Sequence, residues 1–137
     1  MFLLDTNVVS ELRRPRPHGA VLAWLNAMPD ADLHLSAVTI GELQAGVEIA
    51  RERDAAKAAE IEVWLEQVAA SYNILPMDAR VFRAHARLMH RRPDHHIEDA
   101  MIAATAKVHN LTVATRNIRD FEPFGVPTLD PFSASAV

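Results

Sequence analysis

Cysteine is absent from this 137-residue chain. Disulfides and thiolate-bound zinc are therefore excluded, and the absence fits a reducing compartment. Long hydrophobic runs are missing as well: no stretch approaches the ~20 apolar residues of a membrane-spanning helix. The opening run Met1-Phe2-Leu3-Leu4 meets Asp5 well short of a secretory leader, and no basic residue precedes it. These features lead to the expectation of a soluble, cytoplasmic protein with no membrane partner. Internal repeats, low-complexity blocks and Gly/Ser-rich linkers are also lacking, so residues 1–137 are expected to form a single domain. The net charge of −4 lacks the basic excess of a nonspecific DNA binder. It leaves a nuclease open, because clustered active-site acids lower the net charge and bound metals reverse the local sign.

Half of the residues are hydrophobic and 23% are charged, the balance of an ordinary globular protein. A chain this long buries roughly two thirds of its unfolded surface and needs no staple to fold. Five short apolar or β-branched stretches read as strands: Met1 to Leu4, Leu33 to Leu35, Ile74-Leu75 ahead of Pro76, Leu111 to Ala114, and Thr128-Leu129. Helical patterns lie between them. Val8 to Arg13 and His18 to Met28 are short; Ser36 caps a helix to about Arg53; Ala55 to Ser71 carries Ile61, Leu65 and Val68 at helical spacing. Asp78 caps the helix that holds Val81, Phe82 and Met89, and Asp94 or His95 begins a last helix that Asn110 ends. Strands alternating with helices predict a three-layer α/β/α sandwich around a mostly parallel sheet. Ligands of such sheets sit beyond the carboxyl ends of the strands, where strand order reverses.

Polar residues gather at those ends. Asp5, with Thr6 and Asn7, directly follows the first strand, and its position suits a helix cap and a site ligand equally. Glu42 lies among apolar and small residues in Ala37-Val38-Thr39-Ile40-Gly41-Glu42-Leu43, so it is either solvated or held in a polar site. Gly41 costs roughly 1 kcal/mol against alanine inside a helix, which suggests close approach by another group. Glu98 and Asp99 both suit the helix dipole of a first turn; Asp99 shares a face with Ile102 and Ala103 and points further inward. Thr115-Arg116-Asn117-Ile118-Arg119-Asp120-Phe121 follows the fourth strand; Asn117 and Asp120 also suit a turn, and Phe121 an anchor in the core. His95 and His96 are adjacent, and adjacent helical residues diverge by about 100°, which makes the pair a poor chelate. They read as helix-start residues. Acids distributed after several strands are what a two-metal phosphodiesterase needs, since hard cations take oxygen ligands and two ions about 4 Å apart stabilise both the attacking and the leaving oxygen.

Leu4-Asp5-Thr6-Asn7 with Ser10-Glu11, Ser36 to Leu43, Asp99 to Ala106, and Thr115-Arg116-Asn117 with Asp120-Phe121 together resemble the PIN-domain family, and within it the VapC-type toxins of bacterial toxin–antitoxin pairs. The resemblance runs nearly the full length. It implies magnesium or manganese bound by Asp5, Glu42, Asp99 and Asp120, with Asp5 central. Some members carry an acid at the position of Asn117, so the resemblance leaves the fourth ligand open between Asn117, Asp120 and a water. It implies supporting roles for the Thr6 and Thr115 hydroxyls, and a phosphate contact for Arg116. The implied reaction is hydrolysis of an RNA phosphodiester by a metal-activated water, without a side-chain nucleophile. The implied partners are an RNA substrate, a cognate antitoxin that blocks the site, and a second copy in a homodimer, with DNA reached only through the antitoxin. The apolar faces of the helices from Ser36 to Ser71 suit either protein contact or the chain's own core.

Two other readings compete. A haloacid-dehalogenase-like phosphatase places an aspartyl nucleophile after the first strand and a second Asp two residues on, and here that position is Asn7. A non-catalytic RNA- or protein-binding domain that keeps the fold is disfavoured by the retained acids.

Overall fold

The computed structural model of the chain describes residues 1–93 and 96–133. All five expected strands form: β1 (Phe2–Leu4), β2 (Leu33–Ser36), β3 (Asn73–Leu75), β4 (Thr112–Ala114) and β5 (Thr128–Leu129). They make one sheet in the order β3-β2-β1-β4-β5, and every neighbouring pair is parallel. The helices are α1 (Thr6–Glu11), α2 (Gly19–Ala27), α3 (Ala37–Arg53), α4 (Ala55–Ser71), α5 (Ala79–Met89), α6 (Ile97–His109) and α7 (Ile118–Phe121).

Side chains alternate across the short strands and divide the core in two. Leu3 and Val113 point to one face, where Ile102 and Ala103 of α6, Leu88 of α5 and Phe121 of α7 cover them. Leu4 and Leu35 point to the other face, beneath Val8 of α1, Trp24 of α2 and Val68 of α4. Three layers result, as the alternation of elements predicts. The pair α3 and α4 packs on itself through Val47, Ala58 and Leu65.

Short polar residues start the helices by satisfying orphan backbone donors. Ser36 Oγ accepts from the Val38 amide at 3.1 Å, Asp54 from Lys57 at 3.1 Å and Asp78 from Val81 at 3.0 Å. Asp54 alone separates two 17-residue helices, because it ends α3 and caps α4. At α6, the expected starts Asp94 and His95 lie outside the described residues; the described helix opens at Ile97 with His96 at the cap position. Asn110 ends it in the left-handed conformation at φ 55°, which asparagine tolerates better than most residues. The four-residue α7 was read from sequence as a turn, since one helical turn carries no periodicity to detect.

The topology decides where a site can lie. From the central strand β1, the chain moves outward to β2 and β3 on one side and to β4 and β5 on the other. The carboxyl ends of β1 and β4 therefore border the switch point. Leu4 pairs with Ala114, and the Asp5 amide donates to the Ala114 carbonyl at 2.9 Å, which brings the residues that follow the two strands side by side.

Candidate metal centre

Asp5 occupies the switch point and is 5% exposed. It takes the capping role its position suggested. Oδ1 accepts the Thr6 amide at 2.8 Å and so caps α1, while Oδ2 accepts the Thr115 hydroxyl at 2.8 Å and the Asn7 amide group at 3.1 Å. Burial pushes the Asp5 carboxyl above its ordinary pKa; the bonds from Thr115, Thr6 and Asn7 pull it down, and the Asp120 charge pushes it up again.

Glu42 arrives from the second turn of α3. Thr6 Oγ1 donates to its Oε1 at 3.1 Å and lies 3.3 Å from the buried Thr39 hydroxyl. Its carboxyl is also raised, by burial first, against the Thr6 bond, with Asp5, Glu98 and Asp99 adding repulsion. Glu42 is therefore held toward the acids rather than solvated on the outer face. Gly41 beside it was expected to admit a close neighbour. It does not: a Cβ there meets nothing within 4 Å, because Gly41 lies on the exposed face of α3.

Asp99 comes from the first turn of α6 and is half-buried, whereas Glu98 beside it is exposed. Burial and then Asp5 raise the Asp99 carboxyl; the His96 bond opposes them, and Asp120 adds to them. Asp120 stands on α7, partly buried, and faces Asp99 and His96: one ligand-type atom from each of the three lies within 4.8 Å of the others. The four acids thus come from β1, α3, α6 and α7 to one place. Among the described residues no arginine or lysine forms an ion pair with Asp5, Glu42, Asp99 or Asp120. Crowded carboxylates without an arginine or lysine counter-ion form a set of hard oxygen donors, and that set fits a magnesium- or manganese-type ion.

The supporting residues divide. Thr6 and Thr115 each hold a carboxylate. Asn117 enters through its backbone, whose N–H donates to Thr115 Oγ1 at 2.9 Å, while its side chain is exposed. Arg116 likewise contributes a backbone N–H, to Asn7 Oδ1 at 3.2 Å, and its guanidinium lies 4.2 Å over the Phe132 ring. An open depression of about 500 Å³ beside the acids is lined by Arg116, Asn117, Arg119, Asp120 and Asp130.

Three residues at the centre were not assigned to the site from sequence. Asn7 joins the two strand ends, because it donates to Asp5 and accepts from Arg116. Thr39 backs Thr6. His96 reaches Asp99 across one helical turn at 3.1 Å. Its signal was the spacing His96-x-x-Asp99, which the adjacency of His95 and His96 obscured.

Known proteins share this sequence and fold. The PIN domain family model matches residues 2–124. Toxin FitB of Neisseria gonorrhoeae is 39% identical over 96% of this chain and 99% of its own length. The VapC ribonuclease Y4jK of Sinorhizobium fredii is 36% identical over 96% and 98%. The crystal structure of FitAcB from Neisseria gonorrhoeae superposes with a TM-score of 0.84 at 38% identity, covering 96% of this chain and 99% of that one. A DNA-bound VapBC2 from Rickettsia felis shares the fold at a TM-score of 0.75 and 20% identity, covering 94% and 98%. With a family match over most of its length and relatives aligned end to end, this chain belongs to the PIN domain family.

Proposed function

We propose that this chain is a metal-dependent endoribonuclease, the toxin of a type II toxin–antitoxin pair, and that Asp5, Glu42, Asp99 and Asp120 hold its magnesium or manganese. The observation that carries this reading is the convergence of four carboxylates from four elements beside the switch point, with no arginine or lysine paired to them among the described residues. A divalent cation bound there supplies Lewis acidity toward water and the scissile phosphate. The chain's own residues do the rest. Thr115, Asn7 and the Thr6 amide fix Asp5 in one orientation, and Thr6 Oγ1 fixes Glu42. Arg116 and Arg119 border the depression beside the acids, where a phosphate can be drawn against the negative field. Asn7 spends its amide on Asp5 and Arg116, so no general acid stands where an aspartyl phosphatase needs one.

Relatives named toxins and ribonucleases, and structures of FitAB and VapBC2 with DNA, support an antitoxin partner and an indirect link to DNA; a homodimer is part of the same proposal. A groove of about 270 Å³ runs from Thr6 and Glu42 along α3, past Leu43 and Val47, to Ile61 of α4. It gives an antitoxin an apolar approach to the acids. We assign the protein to the cytoplasm; among the described residues no helix is long and apolar enough to cross a membrane.

The test is incubation of a cellular RNA pool with purified, antitoxin-free protein in magnesium, manganese or chelator, beside Asp5→Asn. Cuts that need metal and vanish in the variant are expected. Folded protein that cuts equally well with chelator, or an unimpaired variant, overturns the reading.

A further inference from the structure

We infer that His96 supplies a nitrogen ligand to the cation of this centre and thereby turns its selectivity from magnesium toward manganese and the neighbouring transition metals. The inference rests on the metal-binding part of the proposed function and concerns a residue outside the four acids.

His96 precedes the first residue of α6 at φ 60° and ψ 31°. This left-handed conformation at the cap turns the imidazole back along the first turn, and Nδ1 lies 3.1 Å from Asp99 Oδ2. Asp120 approaches from α7 on the other side, so that a ring nitrogen and two carboxylate oxygens lie mutually within 4.8 Å. Ligands ~2.1 Å from one octahedral ion stand ~3.0 Å apart when adjacent and ~4.2 Å apart when opposite. The 3.1 Å between Nδ1 and Oδ2 is the edge of such an octahedron, and 4.8 Å leaves only a small inward movement for the set to share one ion.

The donor set decides what this addition does. Magnesium demands oxygen ligands and keeps its waters, so carboxylates alone serve it well. Imidazole nitrogen is a borderline donor, and affinity for N/O sites rises from manganese through iron, cobalt and nickel. A His-Asp-Asp arrangement at the edge of the acid cluster therefore favours a transition ion over magnesium. The ring is 45% exposed and stands at the rim beside Arg92, Arg119 and Asp120 in a cavity of about 200 Å³. It is not packed into the core.

The competing arrangement keeps the same contact but uses it differently: Nδ1–H donates to Asp99, and the imidazole never touches the ion. The two are separated by electron spin-echo spectroscopy of the full chain loaded with Mn²⁺ alone, together with Mn²⁺ and Mg²⁺ affinities of wild type, His96→Gln and His96→Ala. Circular dichroism verifies the fold of each variant. A directly bound imidazole gives a ¹⁴N modulation that disappears in His96→Gln, and the ratio of manganese to magnesium affinity falls about tenfold or more. Mn²⁺ bound without ¹⁴N modulation, a modulation that survives in His96→Gln, or an unchanged ratio overturns the inference. Those outcomes leave the ribonuclease reading intact if metal-dependent cleavage persists. Failure of both ions to bind overturns both.

Discussion

Thr115 donates its hydroxyl hydrogen to Oδ2 of Asp5 at 2.8 Å, joining the residues that directly follow β4 and β1. Thr115 is fully buried, and its oxygen also accepts the Asn117 amide at 2.9 Å. One hydroxyl thus orients the central carboxylate and the loop that carries Asp120. Thr115→Val keeps the shape and removes both bonds. A buried carboxylate and a backbone N–H each lose a partner, so the variant should lose about 1–3 kcal/mol in urea unfolding. The Asp5 pKa should rise further, because the largest opposing contribution is gone. Thr115→Ser should retain most of the stability; if it falls as far as the valine variant, the methyl packing and not the hydroxyl is what matters.

The raised carboxyls have a consequence for stability. Asp99 titrates above its ordinary 3.8 in the folded chain, chiefly through burial and then through Asp5. Protonation therefore favours the folded state. This contribution is fully present below pH 3.8 and is lost as pH rises through the folded value, so ionised Asp99 costs stability at neutral pH. Metal-free Asp99→Asn should melt above wild type at pH 7, with the gain shrinking toward pH 4. Added Mg²⁺ or Mn²⁺ should reverse the order, since wild type binds the ion more tightly. Exposed Glu98→Gln should leave metal binding nearly unchanged. Weaker metal binding by Glu98→Gln than by Asp99→Asn would show that the wrong acid has been placed at the centre.

Much of this arrangement was legible in the sequence because local chemistry and fold agree. Each strand ends at a polar residue or proline, and Ser36 and Asp78 mark the helix starts they later cap. Asp99 was separable from Glu98 because buried Ile102 and Ala103 stand three and four residues on. Asn7 and Thr39 were not legible: Asn7 ties the nearby Asp5 to the distant Arg116 backbone, Thr39 is reached through the Thr6 hydroxyl, and no spacing encodes either link. His96 was hidden for a different reason. Ideal helical geometry sets adjacent histidines apart, but His96 is a left-handed cap and the relevant partner is Asp99. The contact of the Arg116 guanidinium with Phe132 was not legible either, because it is made when the chain after β5 folds back.

Gly41 shows where a rule of sequence misleads. The cost of glycine inside a helix suggested a steric need, but a Cβ at Gly41 would meet open space. Gly41→Ala should therefore stabilise the isolated chain by about 1 kcal/mol, with an unchanged denaturant m-value. Gly46, also helical and open, should behave the same way. A loss of stability at Gly41 would mean that the helix there is not held as described.

Asp120 differs from the other acids in its support. Asp5 is fixed by three donors and Glu42 by Thr6, and His96 Nδ1 lies 3.1 Å from Asp99 Oδ2. Asp120 rests on a four-residue helix that follows the Thr115 loop, and its contribution is its position opposite Asp99 and His96. In the proposed centre a carboxylate at the rim is more easily replaced by water than one buried at the switch point. Asp120→Asn should therefore lower RNA cleavage by about 10- to 100-fold, less than Asp5→Asn, and higher Mn²⁺ should recover part of the loss. Single-turnover cleavage across a manganese series decides the matter. A deficit equal to that of Asp5→Asn, and insensitive to added metal, would make Asp120 a primary ligand and move the ion toward α7.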